Sequence, residues 1–161
     1  NTNFVREIGR DTCEYAGGEE FMVEDDLVEN FIRQKDEVRR AARYSNRLLF
    51  VDTDALTTGF YCDLLMDDDE QKRRLTDMAD AINATNEWDL VLFLDPDGTD
   101  FVQDGTRNED IMRERRHYSD LLKAWFDRHG VHCETISGDY LCRFNTAKKL
   151  IEERLAITTV F

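Results

Sequence analysis

The segment LLFVDTDALTT, residues 48–58, decides the fold because four apolar residues lead into two acids and then a helical pattern. A run that is apolar at every position is typical of a central parallel strand buried on both faces. In an α/β protein, ligands bind beyond the carboxyl ends of such strands. The segment therefore predicts an α/β fold and places Asp52 and Asp54 where chemistry takes place.

Helical and strand patterns alternate along the rest of the chain. Apolar residues recur at helical spacing in five segments, which are residues 24–45, 56–66, 70–84, 109–129 and 139–155. Apolar runs predict three strands, at residues 47–52, 88–95 and 131–136. The last six residues, 156–161, are predicted to form a loose or docked tail. This order predicts one α/β domain over residues 1–161, with a parallel sheet covered by helices on both faces.

The charge balance limits the partners. The chain has 35 acidic and 21 basic residues, a net charge of -14. Such a surface repels phosphate backbones and anionic lipid, so we expect neither nucleic-acid nor membrane binding. No apolar run approaches the roughly 20 residues that cross a bilayer. The four cysteines are widely spread and are predicted to be reduced core thiols, which indicates a cytoplasmic protein.

The acids after residues 48–51 suit a metal. Carboxylate oxygens bind hard cations such as Mg²⁺, which bridge nucleotide phosphates in phosphoryl-transfer enzymes. The alternative is that Asp52 or Asp54 caps the helix that begins near Leu56. Both hold together if Asp54 caps the helix while Asp52 binds the metal.

A second group of polar residues lies near the start, in NFVREIGRD, residues 3–11. Glu7 follows a short apolar stretch, and such an acid orients or deprotonates a substrate hydroxyl. The alternative is a surface pattern in which Glu7 pairs with Arg10 or Asp11.

Aromatic residues provide a further feature of this part of the chain. Phe4 and the neighbouring Phe60 and Tyr61 are able to stack on an aromatic base, but aromatic residues at such positions more often belong to the core.

The loop DPDGTDFVQDGTRN, residues 95–108, is rich in Asp and Gly and has the composition of a lid. It introduces Arg107, and arginines on a lid neutralise the charge that develops during phosphoryl transfer. Arg113, Arg115 and Arg116 follow on a predicted helix, where a solvated face is the alternative. His132 and Cys133 are adjacent in a predicted strand and face opposite ways, which argues against a metal site.

Five segments in this order resemble the ribosylnicotinamide kinase domain of the bifunctional NadR-type proteins. They are FVREIGRD (4–11), LLFVDTDALTTGFYC (48–62), WDLVLFLDPD (88–97), FVQDGTR (101–107) and GDYLCRF (138–144). The resemblance spans nearly the whole chain, and VDTDALTT and DGTR are its most specific parts.

The resemblance implies a P-loop kinase fold that uses Mg²⁺ to transfer the terminal phosphate of ATP to nicotinamide riboside, giving nicotinamide mononucleotide. It also implies a longer polypeptide that carries an adenylyltransferase domain. Asp52 would be the acid on the magnesium side, and Glu7 or Asp54 would face the nucleoside hydroxyl. The remaining site residues follow from the same resemblance: Arg107 as the lid arginine, Asp104 and Arg107 at the cofactor, and Phe4, Arg10 and Tyr61 at the substrate.

One departure from the family concerns the phosphate loop. A P-loop kinase needs G-x-x-x-x-G-K-[ST], which these 161 residues do not contain; Gly17 and Gly18 are followed by EEFM. The resemblance begins after the P-loop, so we expect the first strand and the Walker A segment to be absent from this chain. Two other functions stay open: a non-catalytic nucleotide-binding regulatory module, and a P-loop ATPase domain.

Overall fold

The computed structural model describes residues 2–99 and 113–158. The chain has the predicted α/β class, with helices alternating with parallel strands. It divides into two compact units, residues 2–86 and residues 87–99 with 113–158. That the whole chain forms one domain stays a prediction, and each unit is described in turn.

The first unit contains a parallel pair of strands and helices that pack beside it. In chain order its elements are β1 (Thr2–Val5), α1 (Gly9–Ala16), a short 3-10 helix (Glu19–Phe21), α2 (Glu24–Tyr44), β2 (Leu48–Val51), α3 (Ala55–Leu65) and α4 (Asp69–Asn83). β1 pairs with β2 in parallel, and Val5 is the partner of Val51. The sequence patterns predicted β2, α2, α3 and α4 closely but assigned no element to β1 or α1.

Helix α2 is the scaffold of this unit. It begins where the Asp26 carboxylate accepts from the backbone N–H of Val23 at 3.0 Å, and acidic residues in its first turn suit the helix dipole. Its buried residues are Leu27, Asn30, Phe31 and Gln34, at the spacing of one helical face. Leu27 and Phe31 join a core with residues of α3 and α4, including Cys62, Leu75 and Ala79.

The two faces of the β1–β2 pair differ. On one face Asn3 donates to Ser45 at 2.9 Å and to the carbonyl oxygen of Ala41 in α2. On the other face, Phe4 and its register partner Phe50 are 64% and 40% exposed. The prediction that residues 48–51 are buried on both faces is therefore wrong at Phe50, because α2 lies against the opposite side.

The second unit contains another parallel pair. Its elements are β3 (Leu92–Leu94), α5 (Arg115–Arg128), β4 (Glu134–Ile136) and α6 (Tyr140–Thr158). Trp125 and Phe126 of α5 are buried, as are Cys133 and Ile136 at β4. The Lys123 ammonium lies 5.9 Å from the centre of the Phe93 ring, so α5 also contacts β3.

Several predicted boundaries need correction. β3 and β4 are shorter than residues 88–95 and 131–136, because only three residues of each strand enter the paired ladder. Helix α6 runs to Thr158, so the predicted tail at residues 156–161 is wrong for its first three residues. Part of the helix predicted at residues 109–129 lies outside the described residues.

Two expectations about burial also fail. Leu141 and Phe144 belong to the predicted apolar stripe of the last helix, yet both side chains are exposed. Cys13, Cys62 and Cys133 are buried free thiols as predicted, whereas Cys142 is exposed and is not a core residue. Among residues 2–99 and 113–158, no helix is long and apolar enough to cross a membrane.

Candidate functional site

The carboxyl ends of β1 and β2 bring two predicted acids to one edge of the sheet. The backbone N–H of Asp52 donates to the carbonyl oxygen of Val5 at 2.8 Å, which continues the pairing past the end of β2. Glu7 follows two residues after Val5, so the segments that carry Glu7 and Asp52 leave the sheet side by side. This is the edge at which parallel sheets bind their ligands.

The Asp52 side chain is exposed at this edge. It makes no hydrogen bond or ion pair with the part of the chain that the structure describes. An exposed carboxylate with open coordination sites suits Mg²⁺, which takes one or two protein carboxylates and completes its shell with waters and phosphates. No group of three or more potential metal-binding residues occurs within residues 2–99 and 113–158.

Asp54 caps helix α3. Its Oδ1 accepts from the backbone N–H groups of Leu56 and Thr57 at 3.1 and 3.2 Å. The residue is buried, and its carbonyl oxygen begins the helix by accepting from Thr58. The capping alternative is therefore correct for Asp54. This arrangement leaves Asp52 as the acid that points to solvent, and a role for Asp54 towards the substrate stays a prediction.

A buried amide of α2 joins the two segments. The Oε1 of Gln34 accepts from the backbone N–H of Ile8 at 3.3 Å, and its Nε2 donates to the carbonyl oxygens of Thr53 and Asp52 at 3.2 and 3.5 Å. The sequence analysis missed Gln34. The available signal was that Gln34 is polar although the helical repeat places it on the buried face of α2.

The other predicted polar residues lie just before α1 and in its first turn. The Arg6 guanidinium donates to the Asp11 carboxylate at 2.5 Å, so Asp11 pairs with Arg6 rather than with Glu7. The alternative that pairs Glu7 with Asp11 is therefore wrong, and a pairing of Glu7 with Arg10 stays a prediction. Glu7 and Arg10 are half-buried, and their roles at the site stay predictions.

The predicted aromatic residues have different environments. Phe4 is exposed and stands beside Phe50 on the sheet face away from α2, so it is not a core residue. Phe60 is buried in α3. Tyr61 is half-buried and meets Phe60 edge to face, with ring centres 5.8 Å apart. Phe4 therefore offers a free ring face, whereas Tyr61 is partly packed.

In the second unit, Asp95 and Asp97 follow the carboxyl end of β3. Arg116 of α5 donates to both oxygens of Asp95, at 2.6 and 3.1 Å, and contacts the Asp97 carboxylate at 2.5 Å. These bonds hold the pKa of Asp95 below its usual range and raise the pKa of Arg116, with the Arg116–Asp95 hydrogen bond as the main cause. Arg116 is therefore engaged in an ion-pair network rather than in a solvated helix face.

Arg143 of α6 holds the loops after β3 and β4 together. Its guanidinium donates to the carbonyl oxygens of Asp95, Asp97 and Gly138, at 2.5, 2.8 and 2.7 Å. The two loops also meet at Gly98, where an added Cβ would lie 2.8 Å from the backbone of Gly138. These loops form a fixed edge within the second unit. Arg143 and Gly98 were not predicted as functional residues.

Two predicted cofactor residues, Asp104 and Arg107, lie outside the described residues. Of the other predicted lid arginines, Arg113 is exposed and Arg115 is half-buried. His132 is exposed and Cys133 is buried, so the two side chains do not converge on one ion.

The family of this chain follows from a comparison with known protein families. Residues 1–143 match the AAA_28 family, described as an AAA domain. This match covers most of the chain, and the chain belongs to that family.

The individual relatives are NadR proteins. The chain is 25% identical to the trifunctional NAD biosynthesis/regulator protein NadR of Escherichia coli K12 over 158 residues, which cover 96% of this chain and 37% of that protein. The NadR protein of Salmonella typhimurium LT2 gives the same identity and coverage. The chain therefore spans little more than a third of the curated relatives it matches.

Solved structures show the same fold. A crystal structure of a NadR protein in complex with NR has a TM-score of 0.81 at 24% identity and covers 97% of this chain and 45% of that chain. A NadR structure in complex with NAD and AMP-PNP has a TM-score of 0.77 at 23% identity, with 97% and 43% covered. The resemblance to the NadR-type ribosylnicotinamide kinase domain and the α/β fold class are confirmed.

Proposed function

We propose that this chain is the core of an ATP-dependent kinase that phosphorylates nicotinamide riboside to nicotinamide mononucleotide in NAD salvage. The observation that carries the proposal is the position of Asp52, whose exposed carboxylate lies at the carboxyl edge of the β1–β2 pair next to the Glu7 segment. NadR relatives, one solved with NR and one with NAD and AMP-PNP, support the choice of ligands.

The proposed roles follow from these positions. When bound, ATP would supply the phosphoryl group, and Mg²⁺ would neutralise the charge that develops on it. Asp52 would hold the metal, and Glu7 would orient the ribosyl hydroxyl and accept its proton. Asp54 would act mainly by fixing the start of α3, because its Oδ1 already caps that helix.

The remaining contacts are assigned from the family resemblance. Phe4, Arg10 and Tyr61 would surround the nicotinamide nucleoside. Asp104 and Arg107 would contact ATP, with Arg107 stabilising the transferred phosphoryl group.

A phosphate-binding loop is also required, and these 161 residues contain no G-x-x-x-x-G-K-[ST]. We propose that it comes from another part of a longer polypeptide that also carries an adenylyltransferase domain. The NadR relatives support this, since each is much longer than this chain. We also propose a cytoplasmic location, which the four free cysteines support.

Isothermal titration of the natural full-length protein tests the proposed function. We expect nicotinamide riboside and Mg–ATP to bind, and a coupled assay to show turnover with both present. Binding of ATP with hydrolysis but no binding of the nucleoside would indicate the ATPase alternative. Binding of nucleotide without any turnover would indicate the regulatory module.

A further inference from the structure

We infer that Gln34 is a positioning residue for the proposed reaction: from α2, it fixes the segment that carries Glu7 relative to the segment that carries Asp52. This inference rests on the proposed function and deepens it. It assigns no contact between Gln34 and substrate.

The evidence is the pattern of contacts that one side chain makes. Gln34 is 6% exposed, and its amide group bonds to backbone groups on two separate segments. Its oxygen accepts from Ile8, the residue after Glu7, and its nitrogen donates to the carbonyl oxygens of Asp52 and Thr53. A change in the position of this amide would therefore move both acids.

The backbone at these contacts needs an external hold. Thr53 has a positive φ of 63°, which is unfavourable for a β-branched residue and persists only where surrounding contacts impose it. Ile8 is the N-cap residue of α1 and has no side chain able to cap the helix. Gln34 bonds to these two positions, so it stabilises the local conformation that directs Asp52 and Glu7.

The same helix face offers a matched control. Asn30 lies one helical turn earlier, is also buried, and accepts from the Thr12 hydroxyl at 2.5 Å. Its bond goes to α1 and not to the segment that carries Asp52. Replacing Asn30 by Leu thus removes a buried amide from α2 without removing a bond to the acid segments.

The experiment uses the natural full-length protein and three variants, Gln34→Met, Gln34→Glu and Asn30→Leu. Gln34→Met keeps the length of the side chain but removes all three bonds. We expect kcat to fall about tenfold or more and KM for nicotinamide riboside to rise, because both acids lose their alignment. Asn30→Leu should leave kcat, the KM for nicotinamide riboside and the KM for ATP within about twofold of the wild-type values, at a temperature where all variants are folded.

Gln34→Glu separates the two halves of the contact. Its carboxylate still accepts from Ile8 but cannot donate to the carbonyl oxygens of Asp52 and Thr53. We expect kcat to fall while KM for the nucleoside stays near the wild-type value. A merely structural role would lower the amount of active protein and would not split the two constants in this way.

Hydrogen exchange at the Ile8 amide gives a readout that does not depend on kinase activity. We expect protection in the wild type, loss of protection in Gln34→Met and retention in Gln34→Glu. Equal Ile8 exchange in wild type and Gln34→Met would overturn the inference, as would wild-type kcat and KM in Gln34→Met. A wild-type protein that does not phosphorylate nicotinamide riboside would reject the proposed function, while Ile8 exchange would still report whether Gln34 fixes this segment.

Discussion

Asp52 donates its backbone N–H to the carbonyl oxygen of Val5 across 2.8 Å, one residue beyond the end of the strand that precedes it. Because of this bond, the segments that follow β1 and β2 leave the sheet side by side. The side chain of Asp52 is exposed while that of Asp54 caps α3, so the two acids of one short segment have different environments. One turn therefore begins a helix and also leaves a carboxylate exposed to solvent.

The cap at Asp54 predicts a difference between two substitutions. Asp54→Ala removes the acceptor for Leu56 and Thr57 and should lower the free energy of unfolding by about 1–2 kcal/mol. Asp54→Asn keeps an oxygen acceptor and should cost much less. Urea denaturation of both variants measures the difference, and Asp68→Ala at the cap of α4 serves as an exposed comparison. Equal stability of the Ala and Asn variants would contradict the capping role.

Two glycines in the second unit predict substitutions of unequal severity. Gly98→Ala places a Cβ 2.8 Å from the Gly138 backbone at a φ of +84°, so it should destabilise by about 2 kcal/mol or more. Gly130→Ala has a similar φ of +73° but no atom within 4 Å of the new Cβ, and should cost about 1 kcal/mol. Thermal unfolding of both variants measures the difference in their stability. A Gly98 variant as stable as the Gly130 variant would show that the two loops do not pack as described.

The Asp95–Arg116 pair predicts part of the pH dependence of stability. Arg116 lowers the pKa of Asp95 in the folded chain. The contribution of Asp95 to folding stability is therefore fully present above the pKa that this residue has in the unfolded chain, and it is lost as the pH falls through its pKa in the folded chain. Asp95→Asn should lower stability at pH 7 and flatten the decline towards acid. The slope should not vanish, because the pKa values of Glu24, Asp36 and Asp139 are also lowered. Denaturation measured from neutral to acidic pH tests this, and an unchanged slope would count against the pair.

The cysteines predict an order of chemical modification. Burial raises the pKa of Cys62 to about 12, so its thiol should resist alkylation in the native protein. Cys142 is exposed and should react first, although neighbouring Asp139 raises its pKa. Peptide mass spectrometry after iodoacetamide treatment gives the order. Early modification of Cys62 without unfolding would contradict its burial.

Helices α2, α3 and α4 were predictable because their signals are local. The apolar stripe of α2 and the acids before α4 lie within one segment each, and the predicted ends fall within one residue of the observed ones. Fold class followed from the alternation of these helices with strands. β1 was not assigned because its sequence TNFV is apolar only at Phe4 and Val5, whereas β2, LLFV, is apolar at all four positions.

The site was only partly predictable because its contacts are not local. Asp52 was predicted as a site residue because it follows an apolar strand, which is a local pattern. Gln34 contacts segments 18 and 26 residues away, and Arg116 contacts Asp95 at a separation of 21 residues. A polar residue on a buried helix face indicates that a partner exists, but the sequence does not say which backbone groups it meets.

The most direct test of the central claim is the rate of nicotinamide mononucleotide formation by the natural full-length protein, measured against Mg²⁺ concentration for wild type and Asp52→Asn. We expect magnesium-dependent product formation by the wild type and a loss of about 100-fold or more in the variant, at an unchanged Tm. An Asp52→Asn protein with the wild-type rate and the same dependence on Mg²⁺ would contradict the account.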